Sequence, residues 1–407
     1  MMDREKSISE AILRTFSGAG VFVLLETNLD AGGGRRNYLF ADPVEEITAA
    51  DPEEAVRAFK RIEEGVAAGL HAAGFFSYEL GYCLEDSLKQ LIGGRVGRVI
   101  DVGLYEAPLV FDADRASGLS GACGGFHVSE FTLSETFPAY EKKIAEIKRG
   151  IEAGETYQIN YTFKVDFQFS GDPAGLYLAL REKQPTSYSA ILRSGGEWVL
   201  SLSPELFFRI EGDRIETRPM KGTVRRGADP EEDSRLAEFL ASDEKNRAEN
   251  LMIVDLIRND LGRVAVEGSV VAPSLFVVEK YETLYQMTSE VRARLSPGVG
   301  VEEIFRSIFP SGSVTGAPKI SSMKIIGALE NGPRGVYTGA IGFIAPRRER
   351  AVFNIAIRTL AVSGGRGEMG VGGGIVYDSQ PESEWDEALL KARFLTSCAS
   401  STAAAAF

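Results

Sequence analysis

Histidine is scarce in this chain, since only His71 and His127 occur among 407 residues. Chemistry that depends on histidine as a general base or metal ligand is therefore not expected, and carboxylates and lysines must carry any catalysis. Cysteine is also rare: Cys83, Cys123 and Cys398 are an odd number and lack metal-site spacing. They suit small buried side chains in a reducing compartment, so the expected location is cytoplasmic.

Long apolar runs and an excess of basic residues are also missing. No stretch of about 18 apolar residues occurs, so no transmembrane helix is expected. The first residues lack the apolar segment of a signal peptide. A net charge of −13 disfavours a nucleic acid or an anionic membrane as partner. With 44% hydrophobic residues, the chain has enough apolar material for a large core.

Apolar–polar alternation predicts strands with one covered face, which is typical of antiparallel sheets. The strands are expected at 21–26, 73–78, 157–169, 190–193, 198–201, 206–210, 352–362 and 370–377. Helices are expected at 51–68, 137–154, 245–259 and 319–329, and from about Pro381 onward. A Gly-rich segment, 118–125, separates an N-terminal region, 1–125, from a C-terminal region, 126–407, within one intertwined fold. The 365–370 segment fits a dinucleotide fingerprint, but a strand follows it instead of the required helix.

Lys221 precedes Gly222 in a segment that predicts a tight turn, and Arg218, Arg225 and Arg226 lie nearby in sequence. A lysine amine is nucleophilic only when it is neutral, and both neighbouring cations and burial favour the neutral form. The alternative is an exposed lysine before a turn glycine. Lys221 is therefore a candidate nucleophile whose role depends on the other motifs.

The helix expected at 245–259 places Glu249 on its apolar stripe, one turn before Ile253 and two turns before Leu256. An isolated buried carboxylate is costly and needs a partner. Two partners are possible for the Glu249 carboxylate: Arg263, in an ion pair, or a bound cation.

The helix near Pro381 places Glu384, Glu387 and Lys391 on one ridge. One interpretation is a solvated face with a Glu387–Lys391 ion pair. The other is a divalent cation, because Mg²⁺ binds a few protein carboxylates together with substrate oxygens. Glu249 and Glu387 would supply those carboxylates from two helices.

Two further features indicate an anionic ligand. The loop 312–318 leads into a helix N-terminus, where free N–H groups favour negative charge, although many such loops only cap their helix. Arg358 ends an apolar strand, where a guanidinium needs a carboxylate. We expect an anionic small molecule held by Arg358, Lys391, the Thr315–Gly316 backbone and a metal, beside an amine nucleophile.

Several ordered motifs between residues 130 and 398 resemble those of the chorismate-utilising enzymes, most closely the aminodeoxychorismate synthase component I subfamily. They are 157–162, 203–205, 219–223, 247–263, 312–319, 356–359 and 372–376, with weaker matches at 24–27 and 74–79. The resemblance implies an α/β (α+β) fold of two packed, mainly antiparallel sheets flanked by helices.

The same resemblance implies roles for individual residues. Glu205 matches the general acid that protonates the departing C4 hydroxyl of chorismate, and Lys221 matches the nucleophile that attacks C2 before ammonia enters at C4. Mg²⁺ is held through Glu249 and Glu387, with Glu384 close by. The groups that hold the substrate carboxylates are Thr315, Gly316, Arg358, Gly372, Gly373, Gly374 and Lys391.

The implied activity is conversion of chorismate and ammonia to 4-amino-4-deoxychorismate, for 4-aminobenzoate and folate synthesis. Lys221 separates this subfamily from anthranilate synthases, which resemble it but carry Ala there. Gln158 stands where isochorismate and salicylate synthases place a water-activating Lys, and Gln286 where anthranilate synthases usually have His. Thr27 replaces a Ser of the family's tryptophan-binding motif, so tryptophan binding stays open.

Two other functions are considered. One is an anthranilate synthase component I, which the residues just described disfavour. The other is a non-catalytic chorismate-binding regulatory subunit, which would have no need of Glu205, Glu249, Glu387 and Lys221 together. The three cysteines and two histidines form no glutamine-hydrolysing site, so ammonia is expected from solution or through a channel from a separate glutamine amidotransferase subunit.

Overall fold

The computed structural model describes residues 2–27, 36–93, 97–112, 119, 123–281, 284–396 and 398. Ten α-helices lie within these residues. Asp51 caps the second helix by accepting a hydrogen bond from the Glu54 N–H at 2.8 Å, as its position before Pro52 predicts. The helices are α1 (Met2–Ser17), α2 (Pro52–Ala67), α3 (Leu80–Leu84), α4 (Phe137–Glu152), α5 (Pro173–Lys183), α6 (Pro230–Ser242), α7 (Glu244–Gly262), α8 (Val301–Ile308), α9 (Lys319–Leu329) and α10 (Pro381–Thr396).

Twenty strands lie within the same residues. They are β1 (Phe22–Glu26), β2 (Arg36–Ala41), β3 (Glu45–Ala49), β4 (His71–Phe76), β5 (Ile100–Tyr105), β6 (Leu109–Asp112), β7 (Phe126–Leu133), β8 (Gln158–Gly171), β9 (Tyr188–Ser194), β10 (Glu197–Ser203), β11 (Leu206–Glu211), β12 (Arg214–Arg218), β13 (Met220–Arg225), β14 (Val271–Lys280), β15 (Leu284–Arg294), β16 (Gly316–Ala317), β17 (Ala340–Ile344), β18 (Arg350–Ile355), β19 (Thr359–Ser363) and β20 (Arg366–Ile375).

The strands form two sheets of ten strands each, and every described pair is antiparallel. The first sheet has the order β16-β8-β20-β19-β10-β9-β1-β2-β6, with β7 also paired to β8. The second has the order β13-β15-β12-β11-β18-β17-β4-β5-β3, with β14 also paired to β15. The expected class, two mainly antiparallel sheets flanked by helices, is confirmed.

Apolar side chains fill the space between the two sheets. One buried cluster joins Val23 and Phe40 of the first sheet to Phe75 and Phe343 of the second, and the Phe40 and Phe343 rings are 5.7 Å apart. Helices cover the outer side: Trp385 of α10 stacks on a strand phenylalanine of β8 with ring centroids 4.8 Å apart. None of the described helices is long and apolar enough to cross a membrane.

Strands from both sequence regions contribute to each sheet. In the first sheet β1 pairs with β9, and in the second β4 pairs with β17. Residues 118 and 120–122 of the expected boundary lie outside the described residues. The N-terminal region therefore supplies interior strands to both sheets.

One strand prediction is wrong. The segment 352–362 was expected to be continuous, but it is two strands: β18 belongs to the second sheet and β19 to the first. The break falls at residues 356–358, where Arg358 has φ 50° and the Ile357 N–H donates to the Ile355 carbonyl at 2.7 Å. A left-handed backbone in this tight turn ends the ladder, and the chain crosses from one sheet to the other.

Candidate active site

Lys221 lies on β13, at the edge of the second sheet, and not in the expected tight turn. The pairing of β13 with β15 shifts register between Met220 and Thr223, and Gly222 has φ +86°. Gln286 of β15 holds this irregular segment, because its Nε2 donates to the Gly222 carbonyl at 3.2 Å. The bulge gives Lys221 a fixed backbone.

Burial lowers the pKa of the partly buried Lys221 amine, and the charge of Lys391 lowers it further. The carboxylates of Glu249, Glu205 and Glu387 act in the opposite direction. At neutral pH the free-energy difference between the neutral and the charged form of the Lys221 amine is therefore smaller than for a lysine in water.

The expected contribution of the three nearby arginines is wrong. Arg218 pairs with Glu279 at 2.8 Å, Arg225 with a carboxylate of α6 at 2.6 Å, and Arg226 with Asp233 at 2.6 Å. Each guanidinium is thus matched by a carboxylate, and burial, the other predicted cause, lowers the Lys221 pKa together with the charge of Lys391.

Glu205 lies between β10 and β11 and is 4% exposed. Burial raises the pKa of this carboxyl to about 7, although hydrogen bonds from Ser313 and the Met220 backbone N–H oppose the rise. The Ser313 hydroxyl donates to Glu205 Oε1 at 2.8 Å. A carboxyl with this pKa is protonated in about half of the molecules at neutral pH, so it can act as a proton donor.

Three consecutive glycines of β20, Gly372–Gly374, form a wall of the site. A Cβ added to Gly374 would lie 2.8 Å from Gln158 Nε2 and 3.0 Å from Lys221 Nζ. A Cβ added to Gly373 would lie 3.3 Å from Glu384 Oε2. The missing side chains therefore let groups of both sheets and of α10 approach the same stretch of backbone.

Helix α10 contributes charged groups beside this wall. Lys391 Nζ pairs with Glu387 at 2.8 Å and donates to the Gly372 carbonyl at 2.8 Å. The charge of Lys391 lowers the pKa of Glu387, whereas burial raises that of Glu384, which accepts from Ser379 Oγ at 2.7 Å. The Glu387–Lys391 ion pair, one of the two interpretations of this ridge, is therefore present.

Glu249 lies on α7, but the prediction that it belongs to the apolar stripe is wrong by one residue. Asn250, Ile253 and Val254 are buried at that spacing, whereas Glu249 is only partly buried at the border of the stripe. This position leaves its carboxylate within electrostatic reach of Lys221.

The three expected metal ligands do not form a ready coordination cluster. Within the described part of the chain, no three acidic, histidine or cysteine side chains are close enough to hold a metal ion. Glu249 and Glu387 nevertheless both raise the pKa of the Lys221 amine, and Glu387 also raises the pKa of Glu384. Carboxylate oxygens of this kind suit Mg²⁺ when waters or ligand oxygens complete its shell.

The Thr315–Gly316 segment joins the start of β8. Thr315 is fully buried, its hydroxyl donates to the Ser311 carbonyl at 2.9 Å, and its carbonyl accepts from the Asn160 N–H at 2.7 Å. Gly316 has φ +148° and pairs with Ile159 in the short strand β16. The loop is thereby fixed next to Gln158, and its Ser313 reaches Glu205.

The described contacts of the Arg358 side chain include no protein carboxylate. Its Nη1 donates to Gln184 Oε1 at 3.3 Å, and burial lowers its pKa. Its backbone carbonyl accepts from the Leu202 N–H at 3.0 Å, near the strand end that leads to Glu205. Among the described contacts, none joins its side chain to Lys221 or Glu205.

Residues near the weaker N-terminal motif line a pocket of about 60 Å³ between the sheets. Glu26 and Thr27 contribute to it together with Arg36, Arg209 and Arg350. Its lining includes none of the residues around Lys221, so the two regions are separate.

Sequence reasoning did not single out several residues of the site. Ser379 had no signal beyond its position before α10, and Lys245 acts electrostatically on Glu384 and Glu387 from the first turn of α7. Ser313 lay within the recognised loop, but its contact with Glu205 depends on the packing of distant segments.

Comparisons with known proteins agree with this geometry. The family model described as "chorismate binding enzyme" matches residues 26–397. Aminodeoxychorismate synthase component 1 of Escherichia coli (strain K12) is 36% identical over 335 residues, which cover 78% of this chain and 74% of that protein. Anthranilate synthase component 1 of Saccharolobus solfataricus is 41% identical over 69% of this chain and 67% of that protein.

Longer relatives match over part of their length. Aminodeoxychorismate synthase of Streptomyces griseus is 48% identical over 254 residues, which are 62% of this chain and 35% of the relative. The chain thus spans about a third of the length of this protein and of its Streptomyces pristinaespiralis counterpart.

Solved structures share the fold. Anthranilate synthase component I from Streptococcus pneumoniae aligns with a TM-score of 0.76 and 26% identity, covering 90% of this chain and 93% of that chain. The menaquinone-specific isochorismate synthase from Escherichia coli aligns with a TM-score of 0.74 at 18% identity, over 96% of this chain and 91% of that chain. At that identity the likeness concerns the fold alone.

Proposed function

This chain belongs to the chorismate binding enzyme family, and we propose that it converts chorismate and ammonia to 4-amino-4-deoxychorismate and water. The observation that carries the proposal is Lys221, an amine with a lowered pKa next to a buried carboxyl and a glycine wall. The Escherichia coli and Streptomyces griseus relatives, which are named as aminodeoxychorismate synthases, support the same reaction.

Glu205 and Lys221 divide the first half of the reaction. The neutral amine of Lys221 attacks C2 of the ring, the ring electrons shift, and the C4–oxygen bond breaks. Glu205 gives its proton to the departing oxygen, which leaves as water. The Glu205 carboxylate then takes one proton from the Lys221 nitrogen that is now bonded to C2. The products of this half are a covalent Lys221 adduct and water.

Ammonia completes the second half of the reaction. Its lone pair forms a bond to C4, the ring electrons shift back, and the bond between C2 and Lys221 breaks. One proton passes from the incoming nitrogen to the departing amine, so that Lys221 is neutral again. The net change exchanges the C4 hydroxyl for an amino group.

The substrate carboxylates are held by cationic and backbone groups around the glycine wall. Lys391, anchored on the Gly372 carbonyl, presents its charge there, and the N–H groups of Gly373 and Gly374 lie in the same strand. Thr315, Gly316 and Arg358 complete this binding set from the adjoining loop and the crossing between sheets. Glycine at 373 keeps the space next to Glu384 and Lys391 open.

Mg²⁺ would be held by Glu249 of α7 and Glu387 of α10, with Glu384 close by. The fit rests on two carboxylates from separate helices that both act on Lys221. When bound, the ion would orient a substrate carboxylate and neutralise its charge. Lys391 competes for Glu387 at 2.8 Å, so binding of metal and substrate together would rearrange this pair.

The nitrogen source follows from the side chains available. Neither histidine belongs to the site described above, and a glutamine-hydrolysing centre needs a thiolate with a nearby base. A separate glutamine amidotransferase subunit in the cytoplasm is therefore proposed to supply ammonia through a channel. Free ammonium at alkaline pH would substitute for that partner.

Anthranilate formation is the second candidate. It is favoured by the Saccharolobus solfataricus relative, which matches this chain as well as several aminodeoxychorismate synthases do. Attack by ammonia at C2 would require an open position there. Lys221 occupies the corresponding space and favours amination at C4.

Product analysis tests this proposal. The purified chain is incubated with chorismate, Mg²⁺ and ammonium, and the products are identified by chromatography and mass spectrometry. We expect 4-amino-4-deoxychorismate with ammonium and no product with glutamine alone. Anthranilate would support the second candidate, and the absence of both amino products would contradict a catalytic role in favour of chorismate binding only.

A further inference from the structure

The Gln158 side chain is fully buried, yet both of its amide atoms lack hydrogen-bond partners among the described residues. Its backbone is fixed at the start of β8, where the Gln158 carbonyl accepts from Thr156 Oγ1 at 3.0 Å and Ser322 Oγ at 3.3 Å. Buried amides are nearly always hydrogen-bonded. An amide that is held in place but has no protein partner is therefore expected to bind something that the reaction brings or moves.

The free amide lies beside the nucleophile. A Cβ on Gly374 would lie 2.8 Å from Gln158 Nε2 and 3.0 Å from Lys221 Nζ, so both nitrogens adjoin one point of the glycine wall. Rotation of the amide by half a turn exchanges its oxygen and nitrogen and breaks no hydrogen bond among the described residues. The carbonyl oxygen can therefore turn to the side where Lys221 lies.

We propose that Gln158 is a positioning residue whose amide oxygen accepts a hydrogen bond from the neutral amine of Lys221 and directs its lone pair at the substrate ring. This inference rests on the proposed reaction and adds a group to it. An N–H donated to Gln158 leaves the nitrogen lone pair free, as attack at C2 requires. Gln158 itself forms no bond to the substrate.

A neutral acceptor is the chemistry that this position needs. A carboxylate here would add a negative charge near the carboxyl groups of Glu249, Glu205 and Glu387, which already raise the Lys221 pKa, whereas Lys391 lowers it. It would favour the ammonium form of Lys221, which has no lone pair. The amide orients the amine without that electrostatic effect.

Two substitutions separate orientation from charge. Gln158→Met keeps the volume and removes the acceptor, so adduct formation on Lys221 should slow about tenfold or more at every pH. Gln158→Glu keeps the shape and adds charge, so its adduct formation should be slow at neutral pH and recover as pH rises. Chorismate binding should change little in either variant.

The experiment measures the Lys221 adduct by intact mass in single-turnover mixtures of chorismate and Mg²⁺ across pH, with chorismate affinity measured by titration calorimetry. Asn37→Leu is the control, because it removes another fully buried amide whose Nδ2 lacks a partner, on β2 and away from the site. Thermal unfolding checks that each variant is folded.

The outcomes are distinct. Slow adduct formation in both variants, with recovery at high pH only for Gln158→Glu, supports the inference. Wild-type adduct rates in folded Gln158→Met overturn it, and so does an equal loss in the Asn37→Leu control. If Gln158→Met does not fold, Gln158→Glu decides alone, and a pH profile like that of the wild type overturns the inference. If the wild type forms no adduct and no C4-amino product, the proposed reaction itself fails.

Discussion

At the residue scale, burial changes Glu205 and Lys221 in opposite directions. It raises the pKa of the Glu205 carboxyl to about 7 and lowers that of the Lys221 amine. Both shifts favour the neutral forms, which are the forms that an acid and a nucleophile need. The two functional groups therefore share one physical cause, the removal of water from the space between the sheets.

Glu205→Gln should change stability with a defined pH dependence. The folded-state pKa of Glu205 is raised from 4.5 to about 7, so the folded protein binds the extra proton in this window. Stability from this group is present at low pH and is lost as pH rises from about 4.5 to about 7. The Glu205→Gln variant does not lose this stability. Its free energy of unfolding, relative to that of the wild type, should therefore rise by up to about 3 kcal/mol between pH 4.5 and pH 8.

Urea unfolding of both proteins at pH 4.5 and pH 8 measures this difference. Glu79, whose pKa burial also raises to about 7, is present in both proteins, so its contribution cancels. A free-energy difference between the two proteins that is the same at both pH values would count against the buried, protonated state of Glu205. Catalysis in the variant should fall by about 100-fold or more, as loss of a general acid predicts.

Gly374→Ala should inactivate the site without unfolding the protein. The new methyl group would come within 3.0 Å of Lys221 Nζ and Gln158 Nε2, and these flexible ends would have to move. We expect turnover to fall at least about tenfold while the thermal midpoint changes little. Gly262→Ala at the end of α7 is the matched control, because no atom lies within 4 Å of its added Cβ. Equal activity in the two variants would show that a methyl group at position 374 does not disturb Lys221 or Gln158.

How far the sequence predicts single residues depends on where their partners come from. Lys221 and Glu205 were recognisable from local motifs. Burial was also correctly named as a cause of the Lys221 pKa shift, but the arginine contribution was wrong, because Arg218, Arg225 and Arg226 are close in sequence and yet pair with carboxylates of other segments. Ser313 was equally hidden, since its contact with Glu205 spans more than a hundred residues.

At the element scale, two helices bring charged side chains to the site. Helix α7 carries Glu249 and Lys245, and α10 carries Glu384, Glu387 and Lys391. Their existence was predictable, because long amphipathic segments with clear starts depend on local spacing. Failures occurred where a bulge or a crossing decided the outcome: β13 appeared as a turn, and β18 and β19 as one strand. Tertiary pairing, which no local pattern encodes, determines both.

Removal of either proposed metal ligand should abolish the Mg²⁺ response. Glu249→Gln or Glu387→Gln is expected to lower turnover at least about 100-fold and to remove the Mg²⁺-dependent increase in chorismate affinity, since Mg²⁺ is held by so few protein carboxylates that the loss of one removes a main ligand. Asp255→Asn on α7 and Asp386→Asn on α10, both exposed, are the matched controls. Calorimetric titration with and without Mg²⁺ provides the measurement, and full activity in excess chelator would refute the metal role.

At the scale of the whole molecule, the two sheets depend on both sequence regions. Strands β1 and β4 lie inside their sheets, each with a partner from the C-terminal region on one side. The two-sheet class followed from the resemblance and from strand alternation. The strand order could not be predicted, because the local sequence pattern does not show which strands pair when they are more than a hundred residues apart.

A chain that begins at Phe126 should therefore not fold alone. It would expose the long edges of β9 and β17 and lose Val23, Phe40 and Phe75 from the cluster between the sheets. Size-exclusion chromatography and circular dichroism should show aggregation or loss of cooperative unfolding. A cooperative thermal transition in the truncated chain would mean that the C-terminal region is an independent domain.

The covalent role of Lys221 is the central claim, and one comparison tests it most directly. Wild type and Lys221→Ala are incubated with chorismate, Mg²⁺ and ammonium, and both the intact protein mass and the small-molecule product are determined. The wild type should carry a chorismate-derived adduct on Lys221 and release 4-amino-4-deoxychorismate. Lys221→Ala should bind chorismate, form no adduct and make the C4-amino product at least about 100-fold more slowly. An alanine variant that makes this product at the wild-type rate would contradict the account.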